Sequence, residues 1–257
     1  MPIEGIGDFN AIAAMSYSPT RNKIRDSFRK PSTAMSLREK QTAARRRQML
    51  DAAELLIRQS GGTDFSMRAL ASAAEVSPAT PYNFFGSKEG LLFELLTRSL
   101  RSFLKEALVY SSEDPIEQVI EAAENAVDIL LRDPAFLRPL YQVLLGLTDP
   151  IHHPKFLKDA FVFYRTTLNG AMEHKLLANE QDRTALACSL MAHFMGVLDL
   201  WVHEDIHDDW FRAQIAYGFI HSLWPIARGK SLKILQKRYA DVKKVLSNRR
   251  MQPSFIG

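Results

Sequence analysis

The 257-residue sequence predicts an all-helical protein, and three observations lead to that prediction. Apolar residues recur at three- and four-residue steps along most of the chain, which is the period of an amphipathic helix. Proline follows aspartate at Asp114-Pro115, Asp133-Pro134 and Asp149-Pro150, a pattern typical of helix starts, and we find no strand signature. The composition, 46% hydrophobic and 24% charged, excludes a disordered or collagen-like chain.

The composition also bears on the cellular compartment of the protein and on whether it holds disulfides or a zinc site. The single cysteine, Cys188, permits neither an intramolecular disulfide nor a cysteine-based zinc site. The N-terminal residues lack the basic and apolar regions of a signal peptide, and no apolar run approaches the roughly 18 residues that a membrane span needs. We therefore expect a cytoplasmic protein that does not enter a membrane.

Charge is distributed unevenly although the net charge is only +4. Residues 1–100 and 231–257 are net basic, whereas residues 101–230 are net acidic. This asymmetry suggests that a polyanion meets only part of the molecule. For the basic cluster at residues 38–47, a solvated helix face is the alternative interpretation.

The first helices are predicted from helix-capping and helix-ending residues and from the spacing of apolar residues. Residues 1–35 mix Gly, Ser, Pro and Thr without a sustained period, and we interpret them as a flexible arm. From Ser36, one apolar stripe predicts a first helix that ends at Gly61-Gly62. Ser66 then opens a short helix, and Ser77 is an N-cap candidate for another, with Pro78 at its first position. The sequence thus predicts short helices over 67–74 and 79–85 and a long helix from 88 to about 109.

Two short helices joined by a tight turn and flanked by longer ones predict a helix-turn-helix. Leu70, Val76 and either Phe84 or Phe85 would form the small core between them. A second helix of this kind has the right width for the major groove of DNA, where its N-terminal residues can meet base edges.

The segment FSMRALASAAEVSPATPYNFFGSKEGLL resembles the DNA-binding segment of TetR-type bacterial repressors. The resemblance spans about residues 43–103 and includes Val76-Ser77, Thr80, Tyr82, Phe85 and Ser87-Lys88-Glu89. Two residues depart from the pattern. Glu75 stands at the usual turn glycine, so it must adopt a left-handed conformation at a cost of about 1 kcal/mol. Pro81 replaces a Leu or Ile, and we expect it to forfeit one early backbone hydrogen bond and to shift the helix slightly.

The resemblance implies which residues contact DNA. Contacts to the phosphate backbone, which set register, would come from Tyr82 and Lys88 and from the hydroxyls of Ser66, Ser77 and Thr80. Base reading would fall to Arg68, Asn83 and the surface of Pro78 and Ala79. Arg45 and Arg46 are candidate phosphate neighbours. As alternatives, Arg68 pairs with Asp64 or Glu75, and Tyr82 packs into the small core.

Further helices, ending near 132, 147, 177, 203, 228 and 250, predict a helical bundle. The C-terminal domains of TetR-type proteins are similar, with an effector pocket and two dimerising helices per subunit. Residues 186–200 and 215–224 are apolar almost all round, so we expect a homodimer.

The predicted domains are the arm at 1–35, a helix-turn-helix domain at 36–103 with its motif at about 66–85, an effector-binding and dimerisation domain at 104–250 and a tail at 251–257.

Large apolar side chains of the bundle are candidates for an effector pocket, with ordinary core packing as the alternative. They are Phe103, Phe136, Tyr141, Phe161, Tyr164, Met172, Met191, Met195 and Trp201. The resemblance therefore implies a ligand-responsive regulator, most readily a repressor, that binds a palindromic operator in double-stranded DNA as a homodimer. An apolar or aromatic small molecule of unknown identity would release it.

A competing interpretation starts from His203-Glu204-Asp205-Ile206-His207, which formally matches the zinc motif H-E-x-x-H. A helix is predicted to end there, so we expect surface polar residues rather than a metal site. A zinc-dependent hydrolase or a metal-sensing regulator using His203 and His207 is the alternative. No Gly-rich phosphate loop or nucleophile elbow occurs, and we predict no enzymatic activity and no cofactor.

The C-terminal basic residues occur at helical spacing opposite apolar ones, which predicts a surface helix packed on the bundle. A nucleic-acid or membrane-surface contact is the alternative. These residues are Lys233, Lys237, Arg238, Lys243, Lys244, Arg249 and Arg250.

Overall fold

The computed structural model of the chain describes residues 36–146, 152–248 and 253, and within those ranges the fold is all-helical without a strand. This confirms the predicted fold class. The predicted arm at 1–35, the residues Asp149-Pro150, and Arg249 and Arg250 lie outside the described residues. The helices are α1 (Leu37–Ser60), α2 (Met67–Ala73), α3 (Thr80–Phe85), α4 (Lys88–Ala107), α5 (Pro115–Arg132), α6 (Pro134–Gly146), α7 (His152–Thr167), α8 (Asn169–Glu173), α9 (Glu180–Val202), α10 (Asp208–Leu223) and α11 (Gly229–Leu246).

The boundaries of α1 follow from its capping residues. The Ser36 hydroxyl accepts a hydrogen bond from the Glu39 N–H at 3.2 Å, and the Glu39 carboxylate accepts one from the Ser36 N–H at 2.7 Å. This capping box satisfies two backbone donors at the helix start. At the other end Gly61 has φ +69°, the left-handed conformation that stops a helix. The predicted first helix is confirmed at both ends.

The turn between α2 and α3 contains Glu75 at φ +50°, so the left-handed conformation expected at this position is present. The start of α3 differs from the prediction. The Ser77 carbonyl accepts from the Thr80 N–H at 2.9 Å, and the Ser77 hydroxyl bonds the Thr80 hydroxyl at 2.8 Å instead of capping a backbone N–H. The helix therefore begins at Thr80, two residues after Pro78, the predicted first helical position.

This later start changes the role of Pro81. Pro81 occupies the second helical position, where the backbone N–H of any residue would lack an intrahelical partner. The expectation that Pro81 forfeits a hydrogen bond is thus wrong. Its ring is buried and helps to anchor α3 instead.

Helices α5 to α10 form the bundle, whose core is rich in aromatic rings. Trp201 of α9 stacks on Phe211 of α10 with ring centroids 5.1 Å apart, and Tyr164 of α7 packs against Phe194 and Phe219. Two predicted long helices are interrupted. The segment predicted to run to about 177 breaks at Leu168 into α7 and α8, and α10 ends at Leu223 in a 3₁₀ turn over Trp224–Ile226.

The C-terminal helix α11 packs on the bundle, as its pattern predicts. The Ser231 hydroxyl donates to Asp114 at 2.7 Å, and the Arg238 guanidinium donates to Glu117 at 2.9 Å and to Glu124 at 3.0 Å. Burial raises the pKa of the Glu124 carboxyl, and the nearby Arg238 charge opposes that rise. Leu235 is fully buried on the same side of the helix.

Among the described residues, one helix, α9, is long and apolar enough to cross a membrane by length and composition alone. The expectation that no segment approaches that length is therefore wrong. Three of its four charged side chains, Glu180, Asp182 and Arg183, lie in the first turn. Small residues such as Ala185, Ala192 and Gly196 keep the rest of the helix low in polarity without a continuous run of large apolar side chains. Only 39% of the apolar 18-residue stretch of this helix is buried within the chain.

Candidate nucleic-acid interface

Most of the predicted DNA-contacting residues lie at the start of α2, in the turn before α3 and in α3 itself. Those that are exposed are Arg45, Ser66, Arg68, Ser77, Pro78, Ala79, Tyr82 and Asn83, while Thr80 and Lys88 are half-buried. Helices α2 and α3 meet through the Glu75 turn, where the Val76 N–H donates to the Ala71 carbonyl at 2.9 Å. Leu70 is fully buried, and Val76, Phe84 and Phe85 pack against the core.

Tyr82 points outward, with 54% of its surface exposed, so the alternative that it packs into the small core is wrong. Arg68 is also exposed, and among the described residues it forms no ion pair with Asp64 or Glu75. Its guanidinium is therefore not engaged by the fold. Tyr82, Asn83 and Arg68 form a polar surface that the folded helices leave open.

All three hydroxyls predicted to contact DNA have structural partners. The Ser66 hydroxyl caps α2 by accepting from the Ala69 N–H at 3.0 Å, and the Ser77 and Thr80 hydroxyls bond each other. Each hydroxyl retains further hydrogen-bonding capacity, because a serine or threonine oxygen has one donor and two acceptor sites. Lys88 starts α4, and its Nζ lies 5.2 Å from the centroid of the Phe65 ring.

Arg45 and Arg46, predicted together as phosphate neighbours, are placed differently. Arg45 is exposed, whereas the Arg46 guanidinium turns inward, pairs with Glu94 of α4 and donates to the Phe84 carbonyl at 3.0 Å. The sequence did contain a signal for this difference. Arg46 lies three residues before Met49 and seven before Ala53, both fully buried, so it continues the buried stripe of α1, which Arg45 does not.

The predicted effector-pocket residues lie in or beside the bundle core. Phe136, Tyr141, Tyr164 and Trp201 are buried, and Phe161, Met172, Met191 and Met195 are half-buried and packed against the core. Phe103 lies in α4, but its side chain is outside the described residues. Burial raises the pKa of the Tyr141 and Tyr164 hydroxyls, which keeps both neutral.

An open cleft of about 630 Å³ lies elsewhere, lined by Arg138, Glu204, Ile206, His207, Asp208 and Asp209. Phe103 aside, none of the other eight predicted pocket residues, whose side chains the structure describes, lines it. The Arg138 guanidinium bonds Glu204 at 2.9 Å and Asp208 at 3.1 Å and lies 4.5 Å from the centroid of Trp201. The charged groups of this cleft are thus largely paired with one another.

The H-E-x-x-H segment does not form a helical turn. His203 ends α9, Glu204 has φ +62°, and His207 is the residue before α10. The two imidazoles therefore do not stand one turn apart on one helix, as the zinc motif requires. The described residues contain no group of three His, Cys, Asp or Glu side chains that could hold a metal ion.

Together, these features define the class: an all-helical protein that presents a helix-turn-helix for DNA on a helical bundle. Residues 49–95 match the family described as bacterial regulatory proteins, TetR family. The HTH-type transcriptional regulator BetI of Brucella anthropi is 34% identical over 77 residues, which are 29% of this chain and 40% of that protein. The chain thus matches less than half the length of this curated relative.

Solved structures share the fold over most of the chain. A TetR transcriptional regulator from Rhodococcus sp. RHA1 aligns with TM-score 0.57 at 21% identity, covering 73% of this chain and 100% of that one. SmeT, the repressor of the SmeDEF multidrug efflux pump of Stenotrophomonas maltophilia, aligns with TM-score 0.55 at 19% identity, covering 73% and 95%. This chain is therefore similar to TetR-family regulators in the sequence of residues 49–95 and in its overall fold.

Proposed function

We propose that this protein is a transcriptional regulator that reads a palindromic operator as a homodimer and responds to a small apolar or aromatic effector. The observation that carries the proposal is the exposure of the polar side chains of Arg68, Tyr82 and Asn83 on the helix-turn-helix. Side chains of this type, an Arg fork and an Asn amide, pair with the edges of guanine and adenine. Repression rather than activation is proposed from the family resemblance.

Within this proposal, the helix-turn-helix domain comprises residues 36–103 and the effector-binding and dimerisation domain residues 104–250. Phosphate contacts come from Lys88, Tyr82, Arg45 and the hydroxyls of Ser66, Ser77 and Thr80, and they set the register of the protein on the duplex. Pro78 and Ala79 add apolar contact to a thymine methyl group.

The proposal of a homodimer rests on α9. This helix is apolar, yet most of its apolar 18-residue stretch is not buried within the chain. Its exposed side carries small residues, Ala185, Cys188, Ala192 and Gly196, which allow close approach of a second helix. A second copy of α9 would cover this surface, and a two-fold dimer places two recognition helices one DNA turn, roughly 34 Å, apart.

The effector proposal rests on the aromatic interior. Tyr141 and Tyr164 are buried hydroxyl-bearing rings, and Tyr164 packs against Phe163, Phe194 and Phe219. An apolar or aromatic molecule that prefers one arrangement of these helices would change the separation of the recognition helices, and ligand and DNA affinities would then be reciprocally coupled.

Selection of bound sites from random double-stranded DNA tests the proposal. We expect enrichment of a palindrome whose half-sites lie one helical turn apart, and release of the bound DNA by members of an aromatic compound library. If the selection enriches no sequence, the proposal that the protein reads DNA is contradicted. If it enriches only a single half-site, the proposed dimer is contradicted. Purified protein with stoichiometric zinc and hydrolytic activity would instead favour the metal-dependent alternative.

A further inference from the structure

The recognition helix α3 is only six residues long, which is too short to hold its own orientation. A helix of this length has one or two internal hydrogen bonds, and isolated helices below about 12 residues are marginal in water. Its direction is therefore set by the groups that anchor its two ends. The buried ring of Pro81 anchors the N-terminal end.

The C-terminal end of α3 is anchored by Arg46 of α1. One Nη of Arg46 donates to the Phe84 carbonyl at 3.0 Å, and the other pairs with the Glu94 carboxylate on α4. The guanidinium carbon lies 5.8 Å from the centroid of the Phe84 ring and 5.3 Å from that of Phe85. A single side chain thus connects α1, the last turn of α3 and α4.

The Phe84 carbonyl is one of the acceptors that a helix C-terminus leaves without an intrahelical partner, and an Arg side chain can satisfy such a group. Asn83 directly precedes Phe84, and Tyr82 precedes Asn83. If the last turn of α3 moves, both exposed side chains move with it. A displacement of about 1 Å is enough to lose a base contact, because hydrogen bonds weaken beyond about 3.2 Å.

We infer that Arg46 is a positioning residue for base reading and not a phosphate contact. With Glu94, it fixes the end of the recognition helix so that Asn83 meets a base edge at a defined angle. The inference rests on the proposed DNA-reading function, and it assigns specificity to two residues that do not touch DNA themselves.

The two possible roles of Arg46, positioning α3 or contacting a phosphate, predict opposite effects of Glu94→Gln on DNA affinity. Glu94→Gln removes a negative charge near DNA, so simple electrostatics predicts tighter binding to every sequence. Positioning predicts weaker binding to the selected operator, because Arg46 loses its charged partner and the Phe84 carbonyl its fixed donor. Arg46→Lys keeps the charge but lacks the planar fork that spans two acceptors.

The experiment uses the full chain, the operator selected with the wild-type protein and a scrambled duplex of the same length. The variants are Arg46→Met, Arg46→Lys and Glu94→Gln, with Arg45→Met as the matched control for loss of one exposed charge on α1. Affinity for both duplexes is measured at several salt concentrations, and circular dichroism and urea unfolding check the fold. If Arg46→Met does not fold, Arg46→Lys and Glu94→Gln still distinguish a positioning role of Arg46 from a phosphate contact.

For all three variants we expect affinity for the operator to fall about 10-fold or more, as for a lost base contact, while affinity for the scrambled duplex changes less than about 3-fold. The salt slope should stay unchanged in Arg46→Lys and Glu94→Gln, whereas Arg45→Met should weaken binding to both duplexes alike and lower the slope by about one.

Two results would overturn the inference. One is equal weakening on both duplexes by Arg46→Met with tighter binding by Glu94→Gln, which is the behaviour of a phosphate contact. The other is an unchanged operator preference in all three folded variants. A wild-type protein without preference for any selected sequence would instead contradict the proposed function, and this failure is recognised before any variant is made.

Discussion

Arg58, in the last turn of α1, forms a two-pronged ion pair with Asp133, which lies between α5 and α6. Its two Nη atoms lie 3.0 Å from Asp133 Oδ1 and 2.6 Å from Oδ2, and the second also donates to Glu54 at 2.8 Å. The guanidinium carbon lies 4.7 Å from the centroid of the Phe136 ring. The pairing with both carboxylates raises the pKa of the Arg58 guanidinium. This contact joins the helix-turn-helix segment to the bundle.

We expect Arg58→Met to loosen the attachment of α1 to the bundle. The pair is partly exposed, so its coupling energy should be about 1 kcal/mol, in the range of a well-oriented surface pair with an added cation–π contact. A double-mutant cycle with Asp133→Asn, measured by urea unfolding, gives that coupling. The pair Arg132–Glu106, more exposed at 60% and 48%, is the control and should give less. Additive effects of Arg58→Met and Asp133→Asn would refute the coupling.

Lys88 and Arg68 should respond differently to truncation. Lys88→Ala removes the proposed phosphate contact, so it should weaken binding to all sequences and lower the salt slope by about one. Arg68→Ala removes the proposed base contact, so it should cost about 1–3 kcal/mol at one operator position and relax the base preference there. Competition binding against single-base operator variants measures both. If Arg68→Ala weakens all sequences uniformly, its assignment to base reading is wrong.

Gly196→Arg should dissociate the proposed dimer. A side chain at Gly196 meets only open space within one subunit, so the substitution should leave the monomer folded. In the dimer it would bring a charge into the α9 contact, where an unpaired charge is strongly unfavourable. Sedimentation should show monomers at micromolar concentration, with loss of palindrome binding. Ala240→Arg, on an exposed position of α11, is the matched control and should remain dimeric.

Acid should destabilise the bundle through His193, whose side chain lies between α9 and α10. Its Nε2 lies 2.9 Å from the Gln214 carbonyl oxygen, and burial lowers the imidazole pKa below its ordinary value of 6.5. The unfolded chain therefore binds a proton more readily than the folded one. The stability contribution is present above about pH 6.5 and is lost as pH falls below it. Urea midpoints from about pH 7.5 to 5 should fall less steeply in His193→Gln, and parallel curves would contradict this role.

Glu75→Gly should stabilise the helix-turn-helix, by up to about 1 kcal/mol. Glu75 has φ +50°, a conformation that glycine adopts without the penalty caused by a Cβ. The greater freedom of glycine in the unfolded chain offsets part of the gain. Thermal unfolding measures the difference. Ser72→Gly, inside α2, provides the opposite control because it should destabilise, and a loss of stability in Glu75→Gly would show that the turn carries no such strain.

Much of the fold and part of the site were predictable from local sequence. Ser36 with Glu39, Ser66 and the glycine at 61 specify helix ends through backbone hydrogen bonds within a few residues. The exposure of Tyr82 and Asn83 also followed from the motif. The start of α3 was missed because Ser77 hydroxyl bonds Thr80 rather than an N–H, a local choice between two acceptable partners.

By itself, the sequence determined the helical class, the similarity to TetR-type proteins and the residues proposed to meet DNA, because periodicity, caps and the motif act over short stretches of chain. Only the tertiary structure decided which of the neighbouring arginines is exposed, Arg45, and which is half-buried and held by Glu94 and the Phe84 carbonyl, Arg46. The same holds for the pairing of Arg58 with Asp133, 75 positions apart in the chain. An ion pair depends on where two helices cross, and that geometry arises from the packing of the whole core.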